Sequence, residues 1–482
     1  MVNAFRQAAS LPPAAAIPGI PRRLAAFAAE FGDRAILPGD PRYDRARHVW
    51  NGMIDRRPLA IMKCVDEIDV AACLDIAGIL DLPVAVRGGG HSVAGHGVVD
   101  GGLVIDLSPL NMVTVDPKGR FAEAGGGVLW GAFDAATQSH GLATPGGLIS
   151  TTGIAGLTLG GGFGWLTRKH GLSCDNLLEA RVVCVDGRVL RAAADENADL
   201  FWALRGGGGN FGVVTRFRFR LHAHGPQVLC GSISFSRKGG GAVLRRYRDI
   251  MADAPDELAA YATLGARPGG AAAITLTVHY AGPAGEGAAW IERLRGCGVA
   301  QDDTVAVRPY TAFQQSLDGS QHAGRRVYWK SSYLADFGPD AIDTVLDCAA
   351  TLPARDAIIN IERYGGAASR IPSAATAFPH RDGDYLLGIM SIWDDAAADS
   401  ANIDWVRTSW ARMAPFVRQQ SYVNFLGNEG GARVREAYGA NYVRLAAIKA
   451  IYDPQNRLCV NQNIVPMDAG CVPAATEKEE TT

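Results

Sequence analysis

The sequence predicts an α+β protein of two domains, and three observations support that prediction. The chain has 482 residues, which is more than one hydrophobic core usually serves. Its first part alternates short strands with helices, whereas residues 225–420 alternate longer strands with long helical segments, a pattern typical of an antiparallel sheet backed by helices. Hydrophobic residues make up 48% of the chain and charged residues 20%, which is normal for folded domains.

The first domain is predicted from short strands joined by turns and helices. Residues 60–65 predict a strand, and residues 66–80 predict a helix because apolar residues recur every three to four positions after an acidic start. Further strands are predicted over 83–86, 103–107, 112–116, 121–124, 181–185, 187–190 and 213–221. Asp186-Gly187 is a typical hairpin turn. Helical segments are expected to follow residue 130, as far as His140, and to cover 199–204.

The second domain is predicted over residues 225–426. Its strands are expected at 228–235, 273–280, 357–363 and 385–393. Its helices are expected at 241–251, 287–295, 339–352 and 401–413. One amphipathic helix is predicted over 434–452, ended by Asp453-Pro454, and the last dozen residues predict a disordered tail. The first domain is therefore predicted to comprise residues 1–224, with its core at about 55–224, together with residues 427–482.

Composition argues against several classes of partner. A net charge of -2 provides no basic field for nucleic acid or an anionic membrane surface. No run approaches ~20 uninterrupted apolar residues, and residues 1–21 lack the pattern of a secretory signal, so no membrane span is expected. Nine cysteines without a CxxC pair argue against a disulfide framework and a zinc site. A cytoplasmic protein without a metal is the expectation.

A strand followed by three glycines and a histidine is the first candidate binding site. Successive glycines let a backbone approach a ligand closely with its amides exposed, which suits a pyrophosphate. The histidine then lies beside whatever this turn holds. The candidate residues here are Arg87, Gly88, Gly89, Gly90, His91, Ser92 and Gly95.

Two more glycine-rich stretches follow, at 145–164 and 205–215. The first holds eight glycines in twenty residues, mixed with Ser150, Thr151 and Thr152. Close packing of a helix on a sheet could explain one such stretch, but three together predict a site for a pyrophosphate and a flat ring. The site is not of the Rossmann type, because no strand–GxGxxG–helix unit with a following acidic residue occurs. The candidate residues are Gly147, Thr151, Thr152, Gly153, Gly156, Gly161, Gly164 and Val214.

Five collinear motifs resemble those of the FAD-linked oxidases of the berberine bridge enzyme-like family. They are RGGGHS, GGLISTTGIAGLTLGGGFG, RKHGLSCDNL (168–177), DLFWALRGGGGNFGVVT (199–215) and YDPQNRLCVNQNI (452–464). They span roughly residues 55–464. The resemblance implies a two-domain PCMH-type FAD-binding fold, as in vanillyl-alcohol-oxidase-type flavoproteins, with the second domain binding substrate above the isoalloxazine.

The resemblance also implies how FAD is held. The family's covalent histidine corresponds to His91, and Asn461 and Asn463 correspond to asparagines that contact the flavin. Many members have a second link through cysteine, but that position is Ile149 here, so a single covalent link through His91 is expected. Cys174 lies elsewhere and is expected to pack as a small apolar residue. The position that gates oxygen is Thr152, and a small residue there implies an oxidase.

The catalytic base is where this chain departs from the family. Phe425 replaces the second tyrosine of a YxNY-type motif, Gly388 stands where many members have Gln or Glu, and Val93 replaces a frequent aromatic residue. The remaining candidates for the base are Tyr422, Tyr333 and Glu362, with Trp165 as a residue at the flavin edge and Lys330 as a possible substrate contact or an exposed side chain. Ordinary core packing is the alternative for each.

The resemblance implies an enzyme that takes hydride from a substrate C–H onto FAD and reduces oxygen to hydrogen peroxide. The expected substrate is a small molecule with an alcohol carbon, sugar-like or a natural product. Two alternatives stay open. One is a flavin-driven oxidative ring closure or desaturation, which needs no hydroxyl base, and the other is a flavin-bearing protein with little turnover.

Overall fold

A computed structural model describes residues 19–266 and 270–468 of the chain. The predicted tail, Cys471 and most of the N-terminal stretch lie outside the described residues. The chain begins with a small sheet and its helices. The strands are β1 (Ala35–Ile36), β2 (Ala60–Lys63), β3 (Val84–Arg87) and β4 (Leu103–Asp106), and the helices are α1 (Arg22–Phe31), α2 (Tyr43–Arg47) and α3 (Glu67–Ile79). This sheet has the order β1-β2-β4-β3, and β4 pairs in parallel with β2 and β3.

The predicted helix after β2 is confirmed with a defined start. The Asp66 side chain accepts a hydrogen bond from the Asp69 backbone N–H at 2.9 Å, which caps the first turn of α3. Strand β4 is buried along its whole length, as expected for a central parallel strand covered on both faces. The small sheet therefore provides a rigid support for the glycine turn that follows β3.

A five-stranded antiparallel sheet follows, with the order β5-β6-β10-β8-β9. Its strands and those of a short two-stranded sheet are β5 (Val113–Asp116), β6 (Phe121–Gly125), β7 (Leu142–Ala143), β8 (Leu177–Val183), β9 (Val189–Ala193), β10 (Val213–Arg220) and β11 (His222–Ala223). The helices are α4 (Trp130–Gln138), α5 (Ile154–Leu159), α6 (Thr167–His170) and α7 (Ala198–Leu204). The alternation predicted for β10 is confirmed, because Phe217 and Phe219 are buried while Arg216 and Arg220 are exposed.

An eight-stranded antiparallel sheet makes up most of the remaining chain, with the path β15-β12-β14-β13-β18-β19-β17 and β16 beside β12. Its strands are β12 (Gln227–Ser236), β13 (Leu258–Ala266), β14 (Ala272–Tyr280), β15 (Ala300–Asp303), β16 (Ala306–Pro309), β17 (Arg326–Tyr333), β18 (Ile358–Arg363) and β19 (Tyr385–Trp393). Its helices are α8 (Gly240–Ala252), α9 (Ala284–Arg295), α10 (Tyr310–Gln314), α11 (Pro339–Ala349), α12 (Ala367–Arg370) and α13 (Asp399–Met413). The predicted antiparallel sheet backed by helices is confirmed.

The two faces of this sheet have different neighbours. Ile359, Ile361, Leu387 and Ile389 pack with residues of α8, α11 and α13 in one apolar cluster. Because side chains alternate along a strand, the residues between them point to the opposite face. That second face lies above the glycine-rich turns.

The helix predicted over 434–452 is in fact two helices, α14 (Gly431–Tyr438) and α15 (Tyr442–Tyr452). Gly439 separates them with a φ of +49°, in the left-handed region that ends helices. Within the described ranges, no helix combines the length and apolarity needed to cross a membrane. The eight cysteines in those ranges are free thiols, and Cys174 is fully buried in an apolar cluster, as its expected packing role requires.

Candidate active site

One large cavity, with a volume of about 340 Å³, lies between the three glycine-rich stretches and the eight-stranded sheet. Its floor comes from the turn after β3, the segment before and within α5, and the turn after α7. Its roof comes from β17, β18 and β19. The C-terminal segment 458–462 closes one side.

Two glycine turns cross on the floor in direct backbone contact. A Cβ placed on Gly89 would lie 2.4 Å from the Gly153 nitrogen, and one on Gly153 would lie 2.4 Å from the Gly89 nitrogen. Only residues without a side chain permit this crossing. Gly89 and Gly153 are therefore needed for the two turns to cross, independently of any ligand. Their neighbours Gly88, Gly90 and Gly156 line the cavity wall.

Arg87 has a different role from the one predicted for it. It lies on the cavity wall, but its guanidinium is buried and donates to Asp106 Oδ2 at 2.9 Å and to the Ala46 carbonyl at 2.6 Å. A buried guanidinium needs such a counter-ion. Arg87 therefore anchors the end of β3, and a pyrophosphate in this cavity would depend on backbone amides instead.

His91 follows the turn and faces the cavity as a neutral imidazole. Its ring stacks on Trp50 with centroids 4.4 Å apart and an interplanar angle of 20°. Burial lowers the pKa of His91 to about 4, and its Nε2 has no hydrogen-bond partner among the described residues. The Trp50 Nε1–H donates to the Gln321 carbonyl at 2.6 Å, which fixes the plane of the stack. His91 thus presents an unprotonated nitrogen.

The second glycine-rich stretch contributes only part of what was predicted. Gly147, Ile149, Thr152 and Gly153 line the cavity, and Ile149 brings no sulfur to it. Of the predicted cofactor contacts, all in the described part of the chain, five lie off the wall: Gly95, Thr151, Gly161, Gly164 and Asn463.

Packing explains most of these positions. Thr151 is exposed. A Cβ on Gly164 would lie 1.9 Å from the Gly146 carbonyl oxygen, one on Gly161 would lie 2.8 Å from the Phe378 ring, and one on Gly95 would lie 2.7 Å from Ile54. These three glycines therefore serve close packing of the chain on itself. The structure gives no comparable packing reason for Asn463.

The third glycine-rich stretch is tied to the C-terminal segment by a buried lysine. Lys449 is fully buried and donates from Nζ to the Asn210 carbonyl at 2.7 Å, to the Leu458 carbonyl at 3.0 Å and to Asp453 Oδ2 at 2.5 Å. Asn210 and Leu458 both line the cavity. Sequence reasoning missed Asn210 although it belongs to the glycine motif, and the run of four glycines directly before it was the available signal.

Asn461 connects the same two segments on the cavity wall. Its Nδ2 donates to the Leu458 carbonyl at 2.9 Å and to the Gly209 carbonyl at 3.3 Å. Its Oδ1 has no partner among the described residues and is free to accept from a ligand. The predicted return of the C-terminal segment to the glycine-rich turns is therefore present in the structure.

Glu362, the predicted catalytic residue that has a carboxyl group, lies on the roof of the cavity. Glu362 is 4% exposed, lines the cavity, and its Oε2 has no partner among the described residues. Burial raises the pKa of Glu362 from 4.5 to about 8. A carboxyl that titrates near neutral pH can both accept and return a proton during a reaction.

The two tyrosines differ in position. Tyr422 lines the cavity, and its hydroxyl oxygen accepts from the Gly162 N–H and the Asn424 Nδ2–H, both at 2.9 Å. Burial raises the pKa of Tyr422 well above its ordinary value, so it stays protonated. Tyr333 is fully buried and off the cavity wall, because its ring packs edge-on against Tyr364 with centroids 5.8 Å apart.

Trp165 and Lys330 also lie off the wall. Trp165 stacks on Tyr261 with centroids 4.7 Å apart, inside a buried apolar cluster. Lys330 Nζ forms a salt bridge with Glu429 Oε2 at 2.7 Å, so its positive charge is already paired. Within the described ranges, no group of three or more His, Cys, Asp or Glu side chains is arranged to hold a metal ion.

The cavity fits a flavin dinucleotide. Its floor is glycine backbone, and its wall presents His91 Nε2 and Asn461 Oδ1, which have no hydrogen-bond partner among the described residues. Among the described residues that line the cavity, Glu362 on the roof is the one with a carboxyl group. A floor of exposed amides suits a pyrophosphate. A mostly apolar cavity with a few polar groups on its roof suits a flat ring and a small substrate.

Comparison with known proteins supports this interpretation. Residues 58–193 match the family described as FAD binding domain, and residues 421–465 match the one described as berberine and berberine like. (R)-6-hydroxynicotine oxidase of Paenarthrobacter nicotinovorans is 32% identical over 447 residues, which cover 89% of this chain and 96% of that protein. An uncharacterized FAD-linked oxidoreductase of Bacillus subtilis is 31% identical, covering 90% and 98% of the two chains.

Solved structures agree with the fold. The crystal structure of 6-hydroxy-D-nicotine oxidase from Arthrobacter nicotinovorans superposes with a TM-score of 0.83 at 30% identity, covering 90% of this chain and 98% of that one. A berberine bridge enzyme-like protein of Physcomitrella patens superposes with a TM-score of 0.82 at 23% identity, covering 91% and 98%. The predicted PCMH-type fold class is therefore confirmed.

Proposed function

Because this chain belongs to the berberine bridge enzyme-like family of FAD-linked oxidoreductases, we propose that it is an oxidase in which His91 holds FAD covalently and Glu362 exchanges the substrate proton. When bound, FAD accepts hydride from a substrate carbon and passes the electrons to oxygen, giving hydrogen peroxide. The chain's own residues bind the cofactor, orient the substrate and manage its proton.

The position and titration of Glu362 are the observation that carries the proposal. Oxidation of a CH–OH or CH–NH group requires a base for the O–H or N–H proton while hydride leaves the neighbouring carbon. Glu362 has a free Oε2 at the roof of the cavity, and its pKa of about 8 suits that exchange. Tyr422 stays protonated and Tyr333 lies off the cavity wall, so neither competes for this role.

The surroundings of His91 support a single covalent link. A neutral imidazole with a free nitrogen can form a bond to carbon, and the stack on Trp50 holds the ring in one orientation. Ile149, at the position of the second link in other members, lines the cavity with an inert side chain. Thr152 is half-buried on the same wall, and its small side chain supports access of oxygen.

A flavin-reduction experiment tests the proposal. Purified holoprotein is mixed without oxygen with a panel of alcohols and amines, and loss of the flavin absorbance is recorded before air is admitted. We expect at least one compound to bleach the flavin. After air is admitted, the colour should return within seconds, and the hydrogen peroxide formed should equal the amount of flavin that was reduced. A protein that no compound bleaches would instead be a flavin-bearing binder, and one that recolours slowly would be a dehydrogenase.

A further inference from the structure

The roof of the cavity presents hydrogen-bond donors that have no acceptor in the described protein, and they indicate a class of substrate. We propose that the substrate is a largely apolar ring compound bearing a carbonyl-type oxygen, and that Asn360 and Trp329 bind this oxygen while the reacting group faces Glu362. This inference rests on the proposed oxidase function and specifies the substrate of that same site.

Strand register places the side chains of Asn360 and Glu362 on one face of the sheet. Asn360 of β18 lies opposite Thr263 of β13 on one side and Gly388 of β19 on the other. Glu362 comes two residues later on the same strand, so both side chains point the same way. Two residues along a strand span roughly 7 Å. A substrate that contacts both would carry its acceptor and its reacting group about that far apart.

The amide of Asn360 is oriented by its neighbour. Thr263 Oγ1 lies 2.8 Å from Asn360 Oδ1, so the amide oxygen accepts from the threonine hydroxyl. The Nδ2 hydrogens of Asn360 are then left for the cavity, which Asn360 lines. Because an amide's oxygen and nitrogen have opposite hydrogen-bonding roles, this arrangement makes Asn360 a donor toward the substrate.

Trp329 supplies the second donor beside the first. Its Nε1–H is buried and has no partner among the described residues, and indole nitrogen can only donate. A Cβ on Gly388 would lie 3.3 Å from Trp329 Nε1 and 3.9 Å from the Asn360 Cβ. Gly388 therefore places no side chain between the indole nitrogen and the Asn360 side chain, and both line the same cavity. Two such donors match the two lone pairs of one carbonyl-type oxygen.

The lining around these donors is apolar. Met390 lies on the roof, Val93, Leu317 and Phe425 line the cavity beside it, and the rings of Phe425 and Trp329 lie with centroids 4.0 Å apart. A sugar would lose water from several hydroxyl groups here and find few partners for them, which is unfavourable. The natural-product alternative is therefore favoured over the sugar-like substrate.

Binding of a matched set of probes to the oxidised holoprotein tests the inference. Chromone, 4-chromanone and chroman share a bicyclic skeleton. Because 4-chromanone differs from chroman only in its carbonyl oxygen, it controls for the additional double bond of chromone, and cellobiose serves as the sugar probe. Dissociation constants come from the change in flavin absorbance during titration. One hydrogen bond is worth roughly two- to tenfold in affinity, so we expect chromone and 4-chromanone to bind about tenfold more tightly than chroman and more tightly than cellobiose.

Variants assign the effect to the two donors. Asn360→Leu and Trp329→Phe should each reduce the chromone preference several-fold, and Thr263→Val should weaken it because the amide can then rotate. Ile389→Val changes the opposite face of the same sheet, where Ile389 packs with the helices and not on the cavity wall, so its chromone preference should equal that of the wild type.

Three outcomes would overturn the inference. They are equal affinity for chromone and chroman, an unchanged preference in both donor variants, or tighter binding of cellobiose. Failure of the oxidase function is a separate result, because a protein that no compound bleaches can still distinguish chromone from chroman in this titration.

Discussion

Replacing Glu362 by glutamine should change how the stability of the protein depends on pH. The carboxyl has a pKa of about 8 when folded and 4.5 as its ordinary value, so between these values the folded chain binds more protons than the unfolded chain. Stability contributed by this group is therefore present at pH 5 and falls as pH rises. The free energy of unfolding falls by about 3 kcal/mol between pH 5 and pH 7.5 because of this group. Glutamine does not titrate, so the variant does not lose this stability.

Calorimetric melting of both proteins at the two pH values measures the effect. An unfolding entropy of roughly 2 cal/mol/K per residue converts the loss into a shift of about 3 °C in Tm for a chain of this length unfolding as one unit. Between pH 5 and pH 7.5, the Tm of the wild type should therefore fall by about 3 °C more than the Tm of Glu362→Gln. Glu286→Gln is the matched control, because that carboxyl is exposed. Parallel pH profiles for wild type and Glu362→Gln would refute the buried, unpaired state of Glu362.

Three further changes have expected outcomes. Tyr422→Phe should leave the pH profile of turnover unchanged because Tyr422 stays protonated, while the unpaired Gly162 N–H costs about 1–3 kcal/mol of stability; a shifted profile would restore Tyr422 as the base. Lys449→Met should cost about 3–5 kcal/mol of stability because Asp453 is left buried without its partner, measured as a lower Tm by calorimetry; full stability would contradict this. Thr152→Phe should slow recolouring of the reduced flavin in air, measured by stopped flow, and an unchanged rate would contradict a role in oxygen access.

The glycine floor of the cavity could be predicted because the glycines that form it lie together in short sequence motifs. Close backbone crossing needs glycine at particular positions, and Gly89 and Gly153 lie inside motifs whose composition already indicated a turn that approaches a ligand. The same local signal could not separate glycines on the cavity wall from Gly161 and Gly164, which serve chain packing. Whether a glycine faces a ligand or a neighbouring turn depends on tertiary contacts.

The roof could be predicted only in part because its geometry depends on strand register. Strands β13 and β17 were not predicted, since β13 is rich in alanine and buried along nearly its whole length, which removes the alternation that indicates a strand. Without them, the pairing of Thr263 with Asn360 has no sequence signal. Glu362 and Tyr333 were equally plausible candidates until the sheet placed one on the cavity wall and the other in the core.

Arg87 shows the same limit for charge. Its position before three glycines suggested a phosphate contact, but its counter-ion Asp106 lies 19 residues further along the chain. Pairing across adjacent parallel strands, with Arg87 opposite Asp106, decides the role of the guanidinium. Sequence spacing alone does not contain that pairing.

Acid precipitation of the purified protein shows whether FAD in the glycine-floored cavity is held by one covalent bond to His91. We expect the wild-type pellet to keep the flavin absorbance, whereas His91→Ala should release any flavin it carries into the supernatant. Release of all FAD from the wild-type protein would rule out the covalent bond.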